Sequence, residues 1–230
     1  MYLTRFRINT ARVASRRLMS SPQTLHAAVM SSFAEPPPQA GGGPRVLWRL
    51  DQDSHARTFL YVVGPDRPDL THLVEQAGWP TTGGGWQTYD YTPFLSRLAK
   101  GDRWAFRLTA NPVHSIRRKD GEPTKITAHV GPRHQMAWLL QRQEAAGFRV
   151  VEKAPEYRLL PEGDEYQLMV HNRRQFVFQK QQRHRRVTLL TVTFDGCLEV
   201  TDPDAFRITL TQGLGRAKAY GCGLMALATV

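Results

Sequence analysis

The stretch GLGRAKAYGCGLMALA, residues 213 to 228, sets Gly213, Gly215, Gly221 and Gly223 around Arg216 and Lys218. Glycines let backbone N–H groups approach a phosphate closely, and two cations supply charge to meet it. Two nucleotide-binding readings fail on context. A Rossmann fingerprint opens a helix inside a βαβ unit and meets an acidic ribose ligand about 20 residues later, whereas only Leu224 to Val230 follow here. No GxxxxGK[ST] run occurs, which removes a Walker loop. Two readings stay open: a phosphate-receiving turn, or a plain glycine turn entering a buried last strand. The second group of interest is His26, which follows Leu25 in SSPQTLHAAVMSSF. At the edge of an apolar helical stripe an imidazole is partly desolvated yet reaches a ligand. The positive end of the helix macrodipole predicts a pKa below the reference of about 6.5. Such a ring suits proton transfer at a phosphate ester. Taken singly, His26, His55, His114, His129, His134, His171 and His184 are each more simply structural or solvent-exposed.

Charge says what such groups would act on. The chain has 31 Lys+Arg against 20 Asp+Glu, a net charge of +11 and a pI of about 10.2. That field attracts polyanions, nucleic acid foremost. The cations are also clustered, since HNRRQFVFQKQQRHRR (171 to 186) holds Arg173, Arg174, Lys180, Arg183, Arg185 and Arg186 without one acid. Cys197 and Cys222 lack CxxC spacing, so neither zinc nor a disulfide framework is indicated. No run of about 20 apolar residues spans a membrane, and MYLTRFRINTARVASRRL lacks the apolar core of a signal peptide. The reading is a cytoplasmic protein with no cofactor and no metal.

Stepping from the groups to their supports, Tyr2, Thr4, Phe6 and Ile8 alternate with Leu3, Arg5 and Arg7, a strand with one basic face. A helix follows, with Ser21 as N-cap and Pro22 at its first position. Leu25, Ala28, Val29 and Phe33 form its stripe. EPPPQAGGGP (35 to 44) is a loop, and Val46–Leu50 and Thr58–Val63 form a hairpin around a polar turn. A short helix from Asp69 to Ala77 and a strand from Trp86 to Tyr91 complete β-α-β-β-α-β. After a linker at Pro93 to Gly101 the order repeats. Its parts are a strand from Arg103 to Pro112, a helix from Pro132 to Ala146 with Gly147 as C-cap, and a pair of strands joined by the basic tip KQQRHRR. A helix from about Pro203, capped by Asp202 or Thr201, precedes a last strand from Leu224. The fold class is α+β, two tandem ferredoxin-like (RRM-like) domains at 1–92 and 103–230. The related RRM fold presents its sheet to RNA.

Three stretches carry a resemblance. They are MYLTRFRIN with the helix bearing His26, FRLTANP (106 to 112), and DGCLEVTDPDAFRITLTQGLGRAKAYGCGLMAL (195 to 227), in which an LEV-x-DP turn, a helix and a glycine-rich ending follow in order. Together they resemble the CasE family, the type I-E CRISPR endoribonucleases that cut precursor CRISPR RNA at a repeat hairpin and remain in Cascade. The resemblance implies a metal-independent cut in which the ribose 2′-OH attacks the adjacent phosphate, leaving a 2′,3′-cyclic phosphate and a 5′-OH. His26 matches the family's histidine. The family's tyrosine three residues earlier is replaced by Gln23, so no phenol assists, and Gln23, Thr24, Ser31 and Ser32 are the polar neighbours left.

The resemblance also assigns the RNA contacts. Gly213, Gly215, Arg216, Lys218 and Gly221 belong to its backbone-binding loop, and Lys180, Arg183, Arg185 and Arg186 to the hairpin tip that meets the repeat stem. Arg117, Arg118, Lys119 and Lys125, around the turn KDGEPTK, form a second phosphate patch by charge alone. The partners implied are precursor and mature CRISPR RNA and the other Cascade subunits, with no membrane. Two competing readings are a hairpin-capping Cascade subunit that cuts poorly, and a nonspecific nucleic-acid chaperone.

Overall fold

The computed structural model describes residues 1–35, 43–79, 85–116, 124–160, 162–180 and 185–230. They form two compact units. The first is Met1–Leu98 with Arg207–Leu224, the second Ala99–Phe206 with Met225–Val230.

In the first unit the chain runs β1 (Tyr2–Ile8), α1 (Val13–Met19), α2 (Pro22–Met30), β2 (Leu47–Gln52), β3 (Thr58–Gly64), α3 (Thr71–Ala77), β4 (Trp86–Asp90) and α4 (Thr92–Arg97). The strands lie in the order β2-β3-β1-β4, all neighbours antiparallel. Alternation in β1 turns Thr4, Phe6 and Ile8 inward and Arg5 and Arg7 to solvent. Leu18 of α1, Leu25 and Val29 of α2 and Leu73 and Ala77 of α3 close over Phe6, Ile8, Trp48, Leu60 and Val62 as one core. The α2 start is as its residues dictate: Ser21 is extended, its hydroxyl accepts from the Thr24 N–H at 3.3 Å, and Pro22 opens the helix.

The second unit runs β5 (Arg103–Ala110), β6 (Val113–Ile116), β7 (Lys125–Ala128), α5 (Pro132–Leu140), β8 (Phe148–Val150), β9 (Leu168–Lys180), β10 (Arg185–Val200), α6 (Pro203–Gln212) and β11 (Met225–Ala228). Its sheet has the order β11-β5-β10-β8, with β9 also on β10, while β6 and β7 form a separate hairpin. Trp138 stacks on Phe194, and Phe148 packs between Phe106 and Phe206. The Asp202 carboxylate accepts from the N–H groups of Asp204 and Ala205 and caps α6.

Two expectations are revised, and one helix is added. α1 was not legible, because nothing caps it: the residue before it is Arg12, which makes no side-chain cap. The linker from Pro93 holds α4, which Pro93 itself helps to start. α5 ends at Leu140 and continues only as turns to Gly147. Residues 207–224 group with the first unit. There the Arg207 guanidinium donates to the carbonyls of Leu95 and Leu98 at the end of α4, at 2.7 and 2.8 Å, and buried Arg49 holds the Leu224 carbonyl at 2.8 Å. Among the described residues no helix is long and apolar enough to cross a membrane.

Candidate active site

α2 carries His26 half-buried, one turn in from Pro22. Its neighbour is Trp48 on β2, whose ring is 3% exposed and whose indole Nε1–H donates to His26 Nδ1 at 3.3 Å. An indole nitrogen can only donate, so Nδ1 offers its lone pair and the neutral imidazole carries its proton on Nε2. Burial holds the imidazole pKa below its ordinary value. The direction is the one expected from the sequence, and burial is its cause.

The glycine-rich segment lies in the same unit and rests on β2. Three consecutive residues receive it. A Cβ on Gly213 would stand 2.8 Å from the Leu47 side chain, and one on Gly221 would stand 2.6 Å from the Trp48 ring. Arg49, 2% exposed, is bidentate to Asp51 at 2.7 Å for each bond and donates to the Leu224 carbonyl. The segment closes on itself through Leu214 N–H to Gly223 O at 3.0 Å. Both Gly213 and Gly221 have positive φ, 76° and 78°, so only glycine meets the backbone and the contact together. Between them a single 3-10 turn, Lys218–Tyr220, packs beside α2 and β2.

Cations stand at this turn. Lys218 is half-buried, and its pKa is pushed down first by burial and then by the charge of Arg45, which precedes β2. Two cations close enough to press on one another are relieved by an anion bound beside them. Arg216 is exposed on the same loop. Arg45 and Trp48 were not singled out from the sequence. Trp48 lay within a strand-like run and meets its histidine across 22 residues, and Arg45 follows a loop of glycine and proline, so no local spacing marks either.

The second unit holds the remaining expected contacts. Lys125 is exposed at the start of β7. Lys180, Arg185 and Arg186 lie on the facing ends of β9 and β10, with Arg185 in register with Lys180. Arg183, Arg117, Arg118 and Lys119 lie outside the described residues. On the sheet itself Arg107 is bidentate to Asp195, which His171 Nε2 also contacts at 3.0 Å, and Arg103 and Arg149 both reach Glu199. The Asp195 carboxyl feels burial, which raises its pKa, but the Arg107 hydrogen bond and charge and His171 outweigh it and hold it below the usual carboxylate range. His114, His129 and His134 stack, with centroids 4.3 and 5.9 Å apart. Among the described residues no three His, Cys, Asp or Glu gather as a metal site.

Two ferredoxin-like units, the first bringing an imidazole beside a basic glycine loop, define a tandem α+β protein. The family described as CRISPR associated protein matches residues 1–229, and this chain belongs to it, in its CasE branch. The chain is 30% identical to the CRISPR-associated endoribonuclease Cse3 of Thermus thermophilus over 99% of its own length and all of that protein. It is 28% identical to the CRISPR system Cascade subunit CasE of Escherichia coli, over 79% of this chain and 88% of that one. Among solved structures, Thermus thermophilus Cse3 bound to an RNA representing a pre-cleavage complex matches with a TM-score of 0.74 at 26% identity, over 99% of this chain and 98% of that one.

Proposed function

We propose that this chain is the endoribonuclease that binds the repeat stem-loop of precursor CRISPR RNA, cuts it without metal, and stays on the mature RNA as a subunit of Cascade in the cytoplasm. The ribose 2′-oxygen forms a bond to the adjacent phosphorus as the bond to the 5′-oxygen breaks. The 2′-OH gives up one proton and the 5′-oxygen takes one, so the products are a 2′,3′-cyclic phosphate and a 5′-OH. His26 is the proton-transfer group, and burial favours its neutral form before RNA arrives. Negative charge on the non-bridging oxygens is met by Arg45, Arg216, Lys218 and loop N–H groups, each well-placed donor contributing about 3 to 4 kcal/mol. The cations at Lys125 and at the β9–β10 tip contact RNA backbone.

The observation that carries this reading is the grouping of His26, Trp48, Arg45 and Lys218 around one glycine loop, in a chain whose relative of 99% coverage is named an endoribonuclease. A hairpin-capping subunit that cuts poorly is the second reading, favoured by Gln23 where the family's tyrosine stands. The test is cleavage of a 5′-labelled repeat hairpin in EDTA by wild type and His26→Ala, with gel-shift binding alongside. Cutting by wild type alone, with equal binding, supports the nuclease and its histidine. Binding without cutting by either leaves the capping subunit.

A further inference from the structure

The indole of Trp48 is buried in the core of the first unit, yet it spends its one polar hydrogen on His26. Its other side is held by the glycine loop, since any side chain at Gly221 would occupy the space of the ring. The chain of contacts therefore runs Gly221, Trp48, His26, joining the C-terminal loop to an imidazole on α2. We propose that Trp48 is a positioning residue: its N–H fixes His26 in the Nε2–H tautomer and holds it neutral, and Gly221 is required because it seats that indole. This rests on the reading of His26 as the proton-transfer group.

The chemistry follows from what each nitrogen can do. Nδ1 accepts from Trp48, so Nε2 carries the proton and acts as a donor. Adding a second proton requires Nδ1, and that breaks the indole bond. Trp48 therefore opposes the imidazolium by occupying the Nδ1 lone pair, while an arriving phosphate favours it, so the two act in opposite directions on the second protonation. The elements packed around the ring carry mainly cations. α1 brings Arg16 and Arg17, α2 no other charged group, the 3-10 turn Lys218 and Tyr220, and the approach to β2 Arg45. α3 brings His72, whose Nε2 contacts the Ala28 carbonyl of α2 at 2.9 Å, and an exposed Glu75. No carboxylate on α1, α2 or the turn favours the charged ring. The tyrosine expected at Gln23 is thus replaced by an indole reaching the histidine from another element.

The test is 15N NMR of the histidine side chains in the full-length, RNA-free protein across pH 4 to 8, a window around the ordinary histidine pKa of about 6.5, with His26 assigned by its loss in His26→Ala. Wild-type His26 is expected as the Nε2–H tautomer. In Trp48→Phe, which keeps a ring and loses the N–H, the tautomers mix and the titration midpoint moves up by about 0.5 to 1 pH unit, the size of one neutral hydrogen bond. Gly221→Ala is expected to shift both readings in the same direction. An Nδ1–H tautomer in wild type overturns the proposal, and so does an unchanged tautomer and midpoint in a folded Trp48→Phe protein. If Trp48→Phe does not fold, the wild-type tautomer and Gly221→Ala decide. An unchanged Gly221→Ala removes the loop from the device. These readings need no RNA, so cleavage that survives in His26→Ala overturns the assigned reaction without touching the tautomer result.

Discussion

On the sheet of the second unit Arg103, Arg107 and Arg149 stand across strands from Glu199 and Asp195 and pair with them. On the sheet of the first unit Arg5 lies 5.5 Å from the Phe59 ring and Arg7 5.0 Å from the Trp79 ring. An arginine over a ring keeps its charge, whereas one in an ion pair has most of its field cancelled. The net +11 is therefore not evenly available. An RRM-like sheet invites the expectation that its open face binds RNA, but in the second unit the arginines of β5 and β8 are paired with Asp195 and Glu199. In the first unit, among the described residues, Lys218 and Arg216 at the glycine loop form no ion pair with a carboxylate. Fold alone does not locate an interface; the pairing state of its cations does.

The comparison can be broken by substitutions of graded effect. The largest concerns Arg49, whose removal strands the Asp51 carboxylate and the Leu224 carbonyl. Arg49→Met is expected to cost about 3 to 5 kcal/mol, and Arg107→Met, with both partners part-exposed, about 1 kcal/mol or less; urea denaturation of each variant measures both. Equal losses would mean that burial does not separate the two arginines. Gly213→Ala places a Cβ against Leu47 at a left-handed φ of 76°, and about 1 to 2 kcal/mol should appear as a lowered Tm. Next comes RNA binding: Lys218→Ala should reduce the slope of log K against log salt by about 0.7 to 0.9, while Arg107→Ala leaves it unchanged. A slope that falls in Arg107→Ala would put the paired sheet back into the interface.

The smallest effect is in the pH dependence of stability. His26 has a folded pKa below 6.5, so the unfolded chain binds its proton first. The resulting stability is present above 6.5 and is lost as pH falls from there through the folded pKa. His129 shifts the same way, by burial first and then by His114, His134 and Arg142. Asp195, depressed below 3.8, contributes stability above that value and loses it only as pH falls through its folded pKa. His26→Gln should thus flatten the upper step alone, and Asp195→Asn the lower one, as read by thermal melts at successive pH values.

What could be read in advance was local. Ser21 and Pro22 start α2 by their own chemistry, and the alternation in β1 names its buried face before any partner is known. Both units' strand order follows from β-α-β-β-α-β. The site was legible only in its separate pieces, a histidine on a helix and a glycine loop. What joins them is a contact of Gly221 with Trp48 and a hydrogen bond from Arg49 across 175 residues, and neither leaves a spacing in the chain. The short helices α1 and α4 escaped for a different reason: at seven and six residues they hold no period long enough to see, and tertiary packing stabilises them.

The membership of 207–224 in the first unit has a consequence for how the protein is made. Everything else in that unit has been synthesised by Leu98, and more than one hundred residues of the second unit intervene before the glycine loop is made. The nascent first sheet can form with Trp48 in place, but nothing yet covers its far side at Gly221. The grouping is therefore completed only after the second unit's residues are made, and a chain interrupted anywhere before residue 207 carries His26 without the glycine loop that packs on Trp48. The contact that seats Trp48 is thus written into chain order, with its two halves made more than one hundred residues apart.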